Sequence, residues 1–88
     1  MNIKILGPGC ARCQQLEKTV KEVVKELAID ATVEEVKDIK KFIDYNVMMT
    51  PGLVINEQVV SFGKVPTKAE VTQLIINAMA KEGQQMGS

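Results

Sequence analysis

An apolar run at Asn2–Leu6 stops at Gly7-Pro8-Gly9, and a helical pattern starts directly behind it. The chain's two cysteines lie at that seam, in the stretch GPGCARC. The run predicts a short buried strand, ended by the glycine–proline cluster. From about Cys10 to Ala28 the spacing predicts a helix. Cys13, Leu16, Val20, Val23, Val24 and Leu27 share one face, and Lys18, Lys21, Glu22, Lys25 and Glu26 take the others.

Ala31–Val36 reads as a second strand, and its Glu34 and Glu35 suit an edge position better than a central one. Asp38 is the expected N-cap of a short helix ending near Tyr45. Leu53–Ile55 and Val59–Phe62 are β-rich, with Asn56-Glu57-Gln58 turning a hairpin between them. Thr67-Lys68-Ala69-Glu70 matches a capping box. Behind it Val71, Leu74, Ile75, Ala78 and Met79 form a helical stripe, predicted to fade near Glu82-Gly83.

The resulting fold class is α/β, in the order β-α-β-α-β-β-α. The first two strands should be parallel through a right-handed crossover, and the last two should pair as a hairpin. Helices should cover both faces of a four-stranded mixed sheet. Residues 1–82 are read as one domain. The segment 83–88, GQQMGS, is polar and patternless, resembles part of a common expression-tag sequence, and is expected to be a flexible tail outside the fold.

Composition removes several function classes. With 88 residues there is room for one small domain. Eleven basic residues balance 11 acidic ones, and the aromatics are two Phe and one Tyr. Neither an electrostatic footprint nor a stacking platform for nucleic acid results. The stretch MNIKILGPG has no basic segment leading into an apolar one, and no apolar run approaches spanning length. No signal peptide and no membrane partner are expected, and the chain reads as a cytoplasmic monomer. A bridge across two intervening residues restrains the unfolded chain little. In a reducing compartment such a pair is catalytic or metal-binding rather than structural.

The chemistry of the pair follows from its place. A helix N-terminus presents unpaired N–H groups and the positive end of the dipole, both of which favour a thiolate. Cys10 is therefore the candidate attacking thiol. Cys13, one turn further on the apolar stripe, should be more buried and placed to resolve a mixed disulfide. Two small idle residues at a turn are the bland alternative. Gly7, Pro8 and Gly9 give a partner chain a rigid, low-profile approach.

The second informative stretch is YNVMMTPGLVI, Tyr45–Ile55. Proline at the start of a strand has no donor to lose. By frequency alone the Thr50–Pro51 bond would be trans. A cis bond would make a sharp turn facing the cysteines and leave Thr50's backbone groups unpaired, open to an extended substrate strand.

These stretches carry a resemblance to the thioredoxin superfamily in its short, glutaredoxin-sized form. More narrowly, the chain is similar to the small thioredoxin-like redox-active disulfide proteins of archaea and bacteria. The likeness spans residues 1–82. It rests on Gly9-Cys10-Ala11-Arg12-Cys13, on Tyr45-x-Val47-x-x-Thr50-Pro51, and on VVSFGKVPTKAEV leading into the last helix. It implies a thioredoxin fold, a cis Pro51, Cys10 as nucleophile and Cys13 as resolving thiol, with Gly9, Arg12, Thr50 and Pro51 meeting the substrate. Three departures stand out. Gly9 replaces the Trp that usually precedes the first cysteine. The first strand offers Lys4 and no aspartate beneath the cysteines. Gly63 is followed by Lys64-Val65-Pro66 rather than the Gly-Gly-x-Asp by which glutaredoxins bind glutathione.

Among the remaining residues, Met48 and Met49 are read either as an adaptable lip for apolar substrate side chains or, the favoured reading, with at least one of them filling core. Arg12 is expected in solvent, favouring the Cys10 thiolate or an acidic partner. Tyr45 is expected to pack with a wet hydroxyl, and Lys40-Lys41 to be solvated helix surface. The leading function is a thiol–disulfide oxidoreductase that reduces protein disulfides, needs no cofactor in the chain and is recycled by a separate reductase. The alternative is a soft-metal carrier, since two thiolates suit Cu(I). Copper chaperones, however, follow a β-α-β-β-α-β order, usually with Met where this chain has Pro8. Two cysteines and no histidine cannot complete a four-ligand zinc site.

Overall fold

In strand β1 (Asn2–Leu6), Ile3 and Ile5 project to one face and Leu6 to the other, and all three are fully buried. A strand covered on both faces belongs in the middle of a sheet. The computed structural model, which describes the backbone of residues 1–87 and the side chains of residues 1–82, places it there. The elements follow as α1 (Ala11–Leu27), β2 (Thr32–Val36), α2 (Ile39–Asp44), β3 (Gly52–Ile55), β4 (Gln58–Phe62) and α3 (Lys68–Gly87). The sheet order is β2-β1-β3-β4. β1 runs parallel to β2 and antiparallel to β3, and β4 returns antiparallel to β3. The acidic strand β2 is at one edge, as expected.

Two apolar layers hold the sheet. On one face Ile3, Ile5, Leu53 and Ile55 meet Leu16, Val20 and Val23 of α1 and Val71 and Ile75 of α3. On the other, Leu6 and Val54 meet Phe42 of α2 and Val47. The stripes read from sequence are the faces that pack, although Met79, at the margin of the α3 stripe, is 39% exposed.

The ends of the elements have local causes. The Asp38 carboxylate accepts a hydrogen bond from Lys40 N at 2.9 Å and starts α2. At the head of α3, Thr67 N donates to Glu70 Oε1 and Glu70 N donates to Thr67 Oγ1, each at 3.2 Å, closing the capping box. The β3–β4 turn is tighter than the three residues expected. Only Asn56 and Glu57 form it, with φ of 51° and 68°, while Gln58 already pairs with Ile55. Two left-handed residues match the twist of a hairpin even without glycine. Side chains hold the turn. Asn56 Oδ1 accepts from Asn2 N at 3.0 Å, and Glu57 receives Lys4 Nζ at 2.8 Å and the Tyr45 hydroxyl at 2.6 Å.

Helix α3 passes its expected end at Glu82-Gly83 and reaches Gly87. Gln84, Gln85 and Met86 are good helix formers, and one interior glycine costs only about 1 kcal/mol relative to alanine. The expected flexibility of segment 83–88 concerns side chains outside the described residues, and Ser88 lies outside them entirely.

Leu16 is fully buried between α1 and the sheet. Leu16→Ala should destabilise the domain by about 2–5 kcal/mol. Equilibrium urea unfolding should show a lower midpoint with an unchanged slope.

Candidate active site

Gly7 ends β1, and its N–H donates to Val36 O at 3.0 Å, fastening it to the end of β2. A Cβ on Gly7 would lie 2.2 Å from Cys13 Sγ and 3.9 Å from Thr50 Cβ. The bare backbone of Gly7 is thus the wall between the buried cysteine and the Thr50–Pro51 loop. Gly9 turns the chain with φ 91°, a conformation that disfavours any side chain. Cys10 follows as the N-cap of α1 in extended conformation, and its carbonyl accepts the first helical hydrogen bond from Gln14 N at 3.0 Å.

Both cysteines are free thiols. Cys10 is exposed and Cys13 is 1% exposed, with their sulfurs 3.1 Å apart. That is a hydrogen-bond distance for sulfur, and the two thiols titrate in opposite directions. The Cys13 thiol donating to Cys10, with backbone N–H groups of the first helical turn, lowers the pKa of Cys10. Burial, with the neighbouring Cys10 sulfur, raises that of Cys13. The exposed sulfur is the one favoured as thiolate, and the buried one keeps its proton.

The Thr50–Pro51 peptide is cis. Pro51 is buried, and its carbonyl accepts from Gly63 N at 3.0 Å, tying the loop to the end of β4. Thr50 is only half-buried, and among the described residues its backbone N–H and C=O make no hydrogen bond. Gly7, Gly9, Cys10, Cys13, Thr50 and Pro51 therefore converge at one end of the sheet, where β1, β2 and β4 end and β3 begins. Arg12 is exposed on the first turn of α1 at the same end.

A thioredoxin-domain family model matches residues 1–76. The chain belongs to the thioredoxin family. It is 39% identical over 75 residues to a thioredoxin of Methanothermobacter thermautotrophicus, covering 85% of this chain and 97% of that one. It is 37% identical over 71 residues to a thioredoxin of Methanocaldococcus jannaschii, covering 81% of each. Thioredoxin 1 of Thermosipho africanus shares the fold, with a TM-score of 0.64 at 19% identity, over 94% of this chain and 99% of that one. The chain is a thiol–disulfide oxidoreductase with Cys10 and Cys13 as its Cys-x-x-Cys pair, a class that works on protein substrates with a reductase partner. The β-α-β-α-β-β-α order separates it from the copper-chaperone arrangement.

Three side chains differ from their sequence reading. Met48 and Met49 are 84% and 61% exposed, so neither fills core. The segment is held instead by Val47, at 3% exposure, and by Pro51. Met49 rests against Gly63, where a Cβ would lie 3.3 Å from Met49 Cβ. Tyr45 packs as expected, against the layer of Leu6, Phe42, Val47 and Val54, but its hydroxyl is not simply wet. It accepts from Lys4 Nζ at 2.9 Å and donates to Glu57. Glu57 first, then Tyr45, hold the Lys4 ammonium in its charged form. Lys4 is committed to the hairpin turn rather than to the thiols.

Lys37 was not legible as a site residue. Where a Cβ on Gly9 would stand, Lys37 Cε lies 3.3 Å away and Nζ 3.5 Å away. The one sequence signal was the missing side chain at Gly9, which leaves room beside the start of α1.

The hydrogen bond between the thiols predicts a pH effect. In the reduced protein, iodoacetamide should alkylate Cys10 with an inflection below the ordinary thiol pKa of about 8.5. Cys13→Ala removes the largest cause of that lowering, so the inflection should move to higher pH. Cys13→Ser, which keeps a donor, should move it less. Gly7→Ala should displace Cys13 and slow formation of the intramolecular disulfide, measured by thiol titration during oxidation.

Proposed function

We propose that this thioredoxin reduces protein disulfides with Cys10 as nucleophile and Cys13 as resolving thiol, acting as a cytoplasmic monomer. The observation that carries the assignment is the asymmetry of the pair: an exposed sulfur with lowered pKa at a helix N-terminus, and a buried sulfur 3.1 Å behind it with raised pKa.

In the first step the Cys10 thiolate attacks one sulfur of the substrate disulfide. A Cys10–substrate bond forms, the substrate S–S bond breaks, and the other substrate sulfur leaves as a thiolate that takes a proton from solvent. Cys10 then carries no negative charge, so its contribution to raising the Cys13 pKa disappears. Cys13 loses its proton more readily once the mixed disulfide has formed than before. Its thiolate attacks Cys10 Sγ and releases the second substrate thiolate. The substrate has gained two electrons, and the enzyme holds a Cys10–Cys13 disulfide. A separate reductase returns two electrons and two protons.

The substrate chain lies along the Thr50–Pro51 loop. Thr50's free backbone groups offer it strand-like hydrogen bonds, and Gly9 and Arg12 meet it on the far side of Cys10. Cytoplasmic action fits a dithiol kept reduced between turnovers. Among the described residues no helix is long and apolar enough to cross a membrane.

Insulin reduction driven by excess dithiothreitol tests the assignment. Wild type should accelerate it, and Cys10→Ser should abolish the acceleration. With dithiothreitol removed, reduced Cys13→Ser should accumulate a mixed disulfide with insulin through Cys10, absent from the double variant. Retained turnover in Cys10→Ser, or an adduct through Cys13, would overturn the roles.

A further inference from the structure

Resting on that reading, the surroundings of Cys10 differ on its two sides. On the α1–β2 side stand two cations. Arg12 is exposed one residue before Cys13, and among the described residues it makes no hydrogen bond or ion pair. Lys37 lies across Gly9, 62% exposed, with its nearest carboxylate oxygen, Glu35 Oε2, 3.7 Å away. The two form a loose ion pair, longer than a hydrogen bond. The ammonium is largely exposed, and an exposed pair at that distance leaves it free to turn toward an incoming carboxylate. On the Thr50 side Met48, Met49 and Phe62 expose apolar side chains, the last 52% exposed.

We infer that Lys37, with Arg12, selects protein disulfides in which an acidic residue flanks the attacked cysteine, while Met48, Met49 and Phe62 take an apolar side chain on the other side. Gly9 makes this possible. A side chain there would occupy the space Lys37 fills and screen Cys10 from it. The Met pair suits the apolar side because unbranched, polarizable side chains adapt to different partners. The cationic side contributes to orientation and encounter more than to tight binding, since exposed charges act mainly on association and are screened by salt. Lys37 is a specificity residue. It does not enter the bond-making steps.

The test uses three short peptides, each closed by one intramolecular disulfide, whose residue beside the attacked cysteine is Glu, Gln or Lys. Each second-order rate with the reduced protein is divided by the rate of the same peptide with dithiothreitol, a neutral dithiol, which removes the effect of the charge on the peptide's own reactivity. Bis(2-hydroxyethyl) disulfide, small and neutral, reports the dithiol chemistry alone. Wild type should prefer the Glu to the Lys peptide by about tenfold at about 20 mM NaCl, falling to about twofold at about 500 mM. Lys37→Gln should cut that preference about threefold. Lys37→Arg should keep it, and Lys37→Glu should remove or reverse it. Equal corrected rates for the three peptides with wild type, or an unchanged preference in Lys37→Gln, overturns the inference and leaves the oxidoreductase intact. Failure to reduce any peptide or bis(2-hydroxyethyl) disulfide overturns both.

Discussion

The contact between the bare backbone of Gly7 and the sulfur of Cys13 is the constraint on which the rest of the site depends. Cys13 belongs to the packing stripe of α1, and the helix is docked by Leu16, Val20 and Val23 behind it. The cysteine can close that stripe at its upper end only because nothing projects from Gly7. Its burial then does three things. It keeps the Cys13 thiol protonated. It aims that proton at Cys10 across 3.1 Å. It also brings the wall of the site close to Thr50, so the loop that begins β3 stands beside the dithiol. A single methyl group at position 7 would disturb all three.

The stability of the fold and the reactivity of the site are drawn from the same elements but separated along them. The two apolar layers lie over the middle of the sheet. The reactive groups sit at its end, at the head of α1, flanked by loops whose backbones are tied down by single hydrogen bonds, Gly7 to Val36 and Gly63 to Pro51. The opposite end is held by the Lys4–Tyr45–Glu57 group and the Asn2–Asn56 bonds. Tyr45 links that group to the segment running through Val47 to Thr50. The charged network thus steadies a turn far from the cysteines and the start of the loop near them. Its Lys4 is spent on Glu57 and Tyr45 rather than on the thiols.

Much of the architecture was legible because small α/β chains announce their elements locally. Asn2–Leu6 and the α1 stripe carry clear periodicities, and the capping box at Thr67–Glu70 and the cap at Asp38 are local hydrogen-bond arrangements that depend on three or four residues. The readings that failed depended on distant partners. Met48 and Met49 look like core by hydropathy, yet Val47 and Pro51 take the interior positions of that segment. Asn56-Glu57 lacks glycine, and its left-handed turn is held by Asn2, Lys4 and Tyr45 from elsewhere in the chain. Helix α3 outlasts the end expected near Glu82-Gly83, since one glycine is too small a penalty to stop a helix followed by Gln84, Gln85 and Met86.

By itself the sequence determined the order of elements, the strand-to-helix position of Cys10 and Cys13, and the likeness to thioredoxins, because each rests on residues near one another along the chain. Only the tertiary structure decided the sheet order β2-β1-β3-β4 and, through it, the gathering of residues 7, 37, 50 and 63 at the end of the sheet that carries the thiols. The physical reason is that strand order is set by which apolar faces bury one another, a sum over the whole core that no single stretch contains. Lys37 shows the difference most plainly. In the sequence it is one charged residue among many after an edge strand, and its place against Gly9 exists because β2 lies next to β1 and Gly9 carries no side chain.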